Sequence, residues 1–513
     1  MNRLRKRLRQ LAWGIGFVVL LLGIFIVVEH LRGRIALSAR LKELIGHGEI
    51  LSVAALTPPR VSAEANAVPP LVAIKTQISQ LRSNLLDLPP CGRFTGPGQM
   101  MAGWQVAAWS ADKKTNGWTH IDRALENQAP VLEAIHAALQ RTNWDTGFDY
   151  TRGFCEFESP PLVEFRSANQ ILVVAAAANL REGRTNVAVE RLIDAIKLVE
   201  LQGREPLIIS QLVRIACAAI TWNCTWEFLQ TNHWSEAQLA RIQAAWQTID
   251  FGGDMGKALE MERAMTLDTF KILAADSGKM HSMFEQQEAA EEFIGSAFYT
   301  LPAHGVLLHW GYLPLWRAAW LNQDALRAFN RWQNVLETDR LGRRESWVAA
   351  RERAEKFKGM NEEFSWMPPE RETNEPGLYD RWRFLLSNQA LGVAGGMFRR
   401  SLQSETSRGM MVSVLAIKRH TLRHGQAPAS LDALVPQFLP AVPLDKMDGK
   451  PLRYRANRDG SFLLYSVGDD GVDNGGDPTP AKPEKRFVQI WDGKDAVWPV
   501  LVTSEEAVMA AWR

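Results

Sequence analysis

The densest run of chemically capable side chains in this sequence lies near its end. Asp469-Asp470-Gly-Val-Asp473-Asn474-Gly-Gly-Asp477 brings four carboxylates and an amide into one short loop. Calcium takes roughly six to eight oxygen ligands, and glycine-spaced carboxylates can supply several of them alongside backbone carbonyls. The metal expected here is a structural calcium held by Asp469, Asp470, Asp473 and Asp477. The spacing departs from an EF-hand loop, because Gly471 stands where the second ligand would fall. A solvated Asp/Gly turn is the competing reading.

Other candidates carry less. His420 and His424, four apart on a helix, could share a metal, but no Glu lies between them, so the HExxH pattern is missing. Lys418, Arg419 and Arg423 surround them, which suits a helix C-terminus whose partial negative charge favours cations. Glu260, Glu262 and Arg263 share a helix, as do Glu288, Glu291 and Glu292. Paired carboxylates can act as general acid and base, yet no nucleophile accompanies them, and solvated faces or ion pairs account for them. Ser210-Gln-Leu-Val-Arg214 lacks the GxSxG elbow of serine hydrolases, and the chain has neither a P-loop nor a dinucleotide glycine motif. No catalytic or cofactor-binding centre is expected.

The elements that must carry these residues begin with an apolar run, LAWGIGFVVLLLGIFIVV, from Leu11 to Val28. It is free of charge, and as a helix it spans about 27 Å, close to the hydrocarbon thickness of a bilayer. Arg3, Arg5, Lys6, Arg7 and Arg9 precede it, and dense positive charge beside a first apolar helix keeps that flank cytoplasmic. A cleaved signal peptide is the rival, but the run is longer than a usual signal core, and its small-residue cleavage candidate, Ala36 to Ala39, lies well beyond it. The expectation is a retained anchor in a bacterial cytoplasmic (inner) membrane, N-terminus inside, with the bulk of the chain extracytoplasmic.

The total charge is +2, so the residues past the five basic ones of the first ten sum to −3. A nucleic-acid binder needs a basic stripe, and none is present. Four cysteines fit a compartment that permits disulfides. Cys217 and Cys224 share a helix face about 10 Å apart, too far to bond. Cys91 and Cys155 lie in loop-like sequence and could pair, although four unpaired structural cysteines is the plainer expectation.

Helical periodicity dominates the chain to Phe357. His30 to Gly46 continues the anchor, and Pro69-Pro70 opens a helix over 71–86. Another helical stretch covers 121–141, with loop sequence before it. Ile171 to Leu180 is apolar almost all round, as in a helix buried within a bundle. Gly183, Ala188 and Ala195 mark one helical hairpin of the tetratricopeptide kind without a repeating array. Ser235 and Gln238 form a capping box. Phe293 to Trp316, free of formal charge, is long enough to span, but Pro302, Gly305, Gly311 and Pro314 would break it, so buried core is expected over a bilayer-touching surface. The nineteen tryptophans read mainly as core packing. The expected layout is a basic tail over 1–10, an anchor over 11–29, a helical domain over 30–360, a linker over 361–378 and a helix plus α/β module over 379–513.

That last module has a helix over 404–424, a short helix capped by Ser430, strands over 451–455 and 461–466 flanking the turn Asn457-Arg-Asp459-Gly460, and a third strand at Phe487 to Trp491. The order Gly425…Pro428…Leu431…Leu434, Val442-Pro443-x-Asp445, Asp448-Gly449-x-Pro451-x-x-Tyr454 and Leu464-Tyr465-Ser466-x-Gly468-x-Asp470-Gly471 resembles the C-terminal globular part of type II secretion major pseudopilins. The resemblance covers about a fifth of the chain. It implies a helix laid on a short sheet, with calcium under the final loop. The pseudopilin processing site is lacking: Gly16-Phe17 is followed by Val-Val-Leu, with no Glu at the matching place. Separately, the helical part, notably Arg204 to Ala216, resembles large membrane-anchored bacterial proteins without an assigned activity; that resemblance covers most of the chain and implies no mechanism. The fold class expected is mainly α, with a small C-terminal α/β module. The function expected is a scaffold or interaction protein with partners in the cell envelope; the alternatives are an accessory part of a secretion or pseudopilus-like system, and an envelope hydrolase.

Overall fold

The apolar run and the periodic segment after it form one element. In a computed structural model, which describes residues 2–85, 91–105, 117–231, 234–285, 307–358, 378–387, 394–482 and 489–503, helix α1 runs unbroken over Asn2–Gly46. Its first half is bare, with Leu11, Trp13, Phe17, Val19 and Ile24 exposed, and it is long and apolar enough to cross a membrane. A second helix, Ile208–Phe228, meets the same test of length and composition, but 56% of its apolar window is buried inside the protein.

Past Val28 the same helix becomes a docked strut. The Gln323 amide donates to the Glu29 carboxylate at 2.8 Å and to its carbonyl at 2.9 Å. His30 Nδ1 lies 3.1 Å from the Ala318 carbonyl, and Arg40 donates to Asn330 at 3.1 Å. Gly33 is what lets the helices close, because a Cβ there would come within 2.7 Å of Gln323 Cγ.

Short helices α2 (Val53–Leu56), α3 (Val68–Ala73), α4 (Lys75–Asn84), α5 (Gly117–Asn127) and α6 (Ala129–Leu139) follow. The single helix expected over 71–86 is thus split at Ile74, and that over 121–141 near Gln128, where a proline opens the second piece. Loop sequence before α5 hides a hairpin, β1 (Arg93–Gly96) and β2 (Gln99–Met101).

The central bundle is α7 (Leu162–Arg181), α8 (Thr185–Gln202) and α9 (Ile208–Phe228), with α10 (Glu236–Gln247) beside it. Ala175, Ala176, Ala177 and Ala178 of α7 are all buried, as a helix packed on every side requires. Helix α10 starts on the expected box: Ser235 Oγ accepts from Gln238 N, and the Gln238 side chain accepts from Ser235 N. Helices α11 (Phe251–Ala275), α12 (Ser277–Glu285), α13 (Leu313–Ala319), α14 (Leu321–Arg344), α15 (Trp347–Lys358) and α16 (Leu378–Arg383) continue the body. Of the apolar segment 293–316, residues up to 306 lie outside the described ones. In the remainder Leu308, Tyr312, Leu313 and Trp316 are buried, while Trp310 is 78% exposed. The linker expected over 361–378 also falls almost wholly outside the described residues.

Helix α17 (Ala394–His424) leads into the terminal module, where β3 (Arg453–Ala456), β4 (Phe462–Ser466) and β5 (Ala496–Val497) form an antiparallel sheet. Two details differ from expectation. The third strand is Ala496–Val497; in its expected place, residues 490–492 make a 3-10 turn, and 487–488 lie outside the described residues. The helix after Ser430 is also a 3-10 turn, Leu431–Leu434, with no side-chain cap. A further strand, β6 (Val500–Leu501), leaves the module and pairs in parallel with β2. One hydrophobic cluster therefore runs from Leu71 through Ile171 and Leu198 to Met410, Leu415, Leu464 and Trp498.

Candidate functional site

The acidic loop is built around a residue that sequence reasoning did not single out. Asp495, fully buried, accepts from the backbone N–H groups of Asn474, Gly476 and Asp477 at 3.2, 2.7 and 3.0 Å. The expected ligands face elsewhere. Asp469 accepts from Gln403 at 2.6 Å and from Arg399 at 3.0 Å. Asp470 caps the N–H of Val472 at 2.9 Å. Asp473 accepts from Gly475 N and from the Tyr465 hydroxyl, each at 3.0 Å, and faces Arg453 at 3.4 Å. Asp477 pairs with Lys494 at 2.9 Å, and that contact, with the Thr479 N–H, holds its carboxyl down at about 2. Among the described residues no three His, Cys, Asp or Glu side chains gather at a metal-ligating geometry. The loop turns N–H groups inward onto a carboxylate, whereas a calcium shell needs inward oxygens.

A second buried carboxylate fastens the module. Asp445 accepts from Met447 N at 3.0 Å, Val467 N at 2.9 Å and Ser466 Oγ at 2.9 Å. Burial raises its pKa against those bonds. It lies in the stretch Val442-Pro443-x-Asp445, where its side chain ties residues 445–447 to the end of β4.

A concave surface lies on the seam between module and bundle. Helix α9, helix α17 and the turn at 489–491 surround a cavity of about 400 Å³. Trp222, Trp246 and Phe251 make its floor, and Arg400, Ser404 and Arg408 line its α17 side. Arg408 is held by Glu405, one turn before it, and Arg400 is exposed. Aromatic walls beside guanidinium groups fit an apolar segment that ends in, or carries, a carboxylate.

The remaining candidates serve structure. The rings of His420 and His424 lie 4.4 Å apart, tilted by 38°, and both pack on Phe438, with His420 Nδ1 lying 3.1 Å from the Gln426 carbonyl. Arg263, fully buried, donates to Glu49 at 2.9 Å, to the Ile50 carbonyl at 2.9 Å and to Gln333. Arg340 bonds Glu49 and also Glu260, the latter at 2.8 Å. Burial alone would raise Glu49, but hydrogen bonds from Arg340 and Arg263 prevail and hold it at about 2. This knot ties the chain leaving α1 to α11 and α14. Glu262 accepts from Ile208 N at 2.8 Å, and burial pushes it up to about 7. Glu288, Glu291 and Glu292 lie outside the described residues. Ser210 is buried within α9.

A lone acid in the apolar run of α9, Glu227, is a further signal in the sequence. It accepts from Gly92 N at 3.0 Å and Gly103 N at 2.9 Å, and burial pushes it up to about 7. It thereby pins the β1–β2 hairpin to α9 and brings the Cys91 thiol against Cys224. All four cysteines are unpaired, and Cys155 packs in a different cluster from Cys91. His136 and the buried Asp194 form a histidine–carboxylate pair at 2.8 Å, and the other side chain bonding the ring is Gln140.

No family model, curated protein or solved structure matches this chain.

Proposed function

We propose that this protein is a membrane-anchored scaffold of the bacterial cell envelope, held N-terminus inside by a single retained span, with its helical body outside the cytoplasmic membrane presenting a binding surface to protein partners. The observation that supports it most is the two-part character of α1. Its apolar half is bare, while the half from Glu29 to Leu44 is part of the body's own core and hydrogen bonding. Removing the apolar half as a signal peptide would have to cut within a helix the body uses. The basic residues before the span favour the stated orientation. The cavity between α9 and α17 offers a surface for a partner segment, with an apolar stretch on the tryptophans and a carboxylate at Arg400.

Crosslinking of the tagged full-length protein in membranes, followed by affinity purification with and without calcium chelation, tests this reading. Envelope partners whose recovery falls with Arg400→Glu support it. Absence of any stable partner under both conditions rejects it. A second reading is favoured by one feature, the long α17 lying against the β3–β5 sheet as in pseudopilin globular parts. On that reading the protein is an accessory component of a secretion or pseudopilus-like system, and the same purification recovers pseudopilin-like proteins.

A further inference from the structure

Among the described tryptophans two are exposed, Trp13 at 74% and Trp310 at 78%. Trp13 stands at the start of the apolar run of α1. Trp310, about three hundred positions later in the chain, is tied by the fold to the other end. Its neighbours Leu308, Tyr312 and Leu313 form a cluster with Trp316, and Ile26 of α1 packs against that cluster. Phe25 meets Trp320 edge-on, with centroids 5.9 Å apart. Phe25 lies one helical turn before the first polar residue, Glu29, roughly 6 Å down the axis. The body therefore does not stop short of the apolar run. It touches the run's last turn.

The aromatic contacts continue outward from there. Trp320 meets Tyr379 edge-on at 5.9 Å, and Tyr379 is half exposed. The Arg383 guanidinium lies over Tyr379 at 5.7 Å and over Phe384 at 4.2 Å. Arg317, half-buried on α13, donates to the Ala274 carbonyl. Tryptophan and tyrosine gain most at the headgroup level, where the ring leaves water and the N–H or O–H keeps a partner. Arginine there adds attraction to anionic headgroups.

We propose that this face is a lipid-contacting collar: Trp310 and Tyr379, flanked by Arg317 and Arg383, enter the headgroup–acyl boundary of the bilayer around the exit of α1. The inference rests on α1 spanning the membrane. It adds that the body is fixed at one depth and one tilt, which a flexible stalk would not impose.

The test uses the full-length protein in nanodiscs of phosphatidylethanolamine and phosphatidylglycerol doped with a phospholipid carrying a diazirine at the carbonyl end of its acyl chain. After irradiation and digestion, lipid adducts are mapped by mass spectrometry. Adducts on α1, on 307–320 and on 378–383, with none on the hairpin turn at 457–460, are expected. Trp310→Ser should lower adducts on 307–320 several-fold and leave those on α1 unchanged; since the ring is largely exposed, folding is not at stake. Adducts confined to α1 overturn the collar and leave the span standing. Absence of adducts on α1 overturns the span, and the collar with it.

Discussion

Glu49 and Glu227 show how opposite the fate of a buried carboxylate can be. Glu49 faces two arginines, one of them fully buried, so it stays ionised. Glu49→Gln leaves the Arg263 charge under-compensated and should cost about 3 kcal/mol in chemical denaturation, the range for breaking a buried pair. Because the folded carboxyl is depressed to about 2, its stabilisation is present above the unfolded value near 4.3 and is lost as pH falls from there toward 2. Glu227 has only two backbone N–H groups and is raised to about 7. The folded state then holds a proton the unfolded chain releases, so this group's contribution is present below about 4.3 and lost as pH rises to 7. Unfolding free energies of wild type and Glu227→Gln from denaturant titrations should diverge by up to roughly 3 kcal/mol between pH 4.5 and 7. Parallel curves would mean that Glu227 is ionised in the folded protein. Glu262 is raised in the same direction, so the comparison must be made between variant and wild type and not on the wild-type slope alone.

Elements are joined by close approaches that allow little substitution. Gly33 lets α1 lie against α14, and a larger side chain would wedge the two apart. Gly33→Leu should lower the melting temperature of the solubilised protein by several degrees and open 47–66 to limited proteolysis, while the helical circular dichroism stays near wild type. At the acidic loop, Asp495 gathers three N–H groups, and Asp495→Ala strands them; a loss of roughly 2–4 kcal/mol is expected, one unmet buried donor costing about 1–3. Calcium is tested separately. If the ion sits among Asp469, Asp470, Asp473 and Asp477, replacing Asp470 and Asp473 by Ala lowers the melting temperature in calcium and leaves it unchanged in chelator. Equal losses in both buffers remove calcium from the loop.

At the scale of the molecule, β6 is fastened back to the β1–β2 hairpin. Val500 N donates to the Gly98 carbonyl and Val502 N to that of Met100, both at 2.9 Å. Trp226 donates to the Pro499 carbonyl at 2.9 Å, and Trp498 packs edge-on against Trp222 at 5.1 Å. Trp498→Ala empties a place in the shared core and should cost about 3–5 kcal/mol. Its effect should reach the bundle as well as the module, so a single denaturation transition read at both places must shift together. Two transitions that move separately would show module and bundle to be independent folding units.

Periodicity and punctuation carried much of this architecture in the sequence. The apolar run, the all-round apolar face of α7, the box at Ser235 and the turn at Asp459-Gly460 are each local, so their signals sit within a few residues of the structure they make. What tertiary structure alone decided is the partner of each polar group. Nothing near Asp495 announces that residues 474–477 will turn their N–H groups toward it, and nothing near Cys91 announces Cys224. The pairing of β6 with β2 joins segments about four hundred residues apart, and the approach of Trp310 to the end of α1 depends on how α13 and α14 pack. Local sequence specifies which helices form and which face each buries. Which buried charge meets which donor depends on the packed arrangement, because burial and geometry set the energy of those contacts and only the whole fold supplies both.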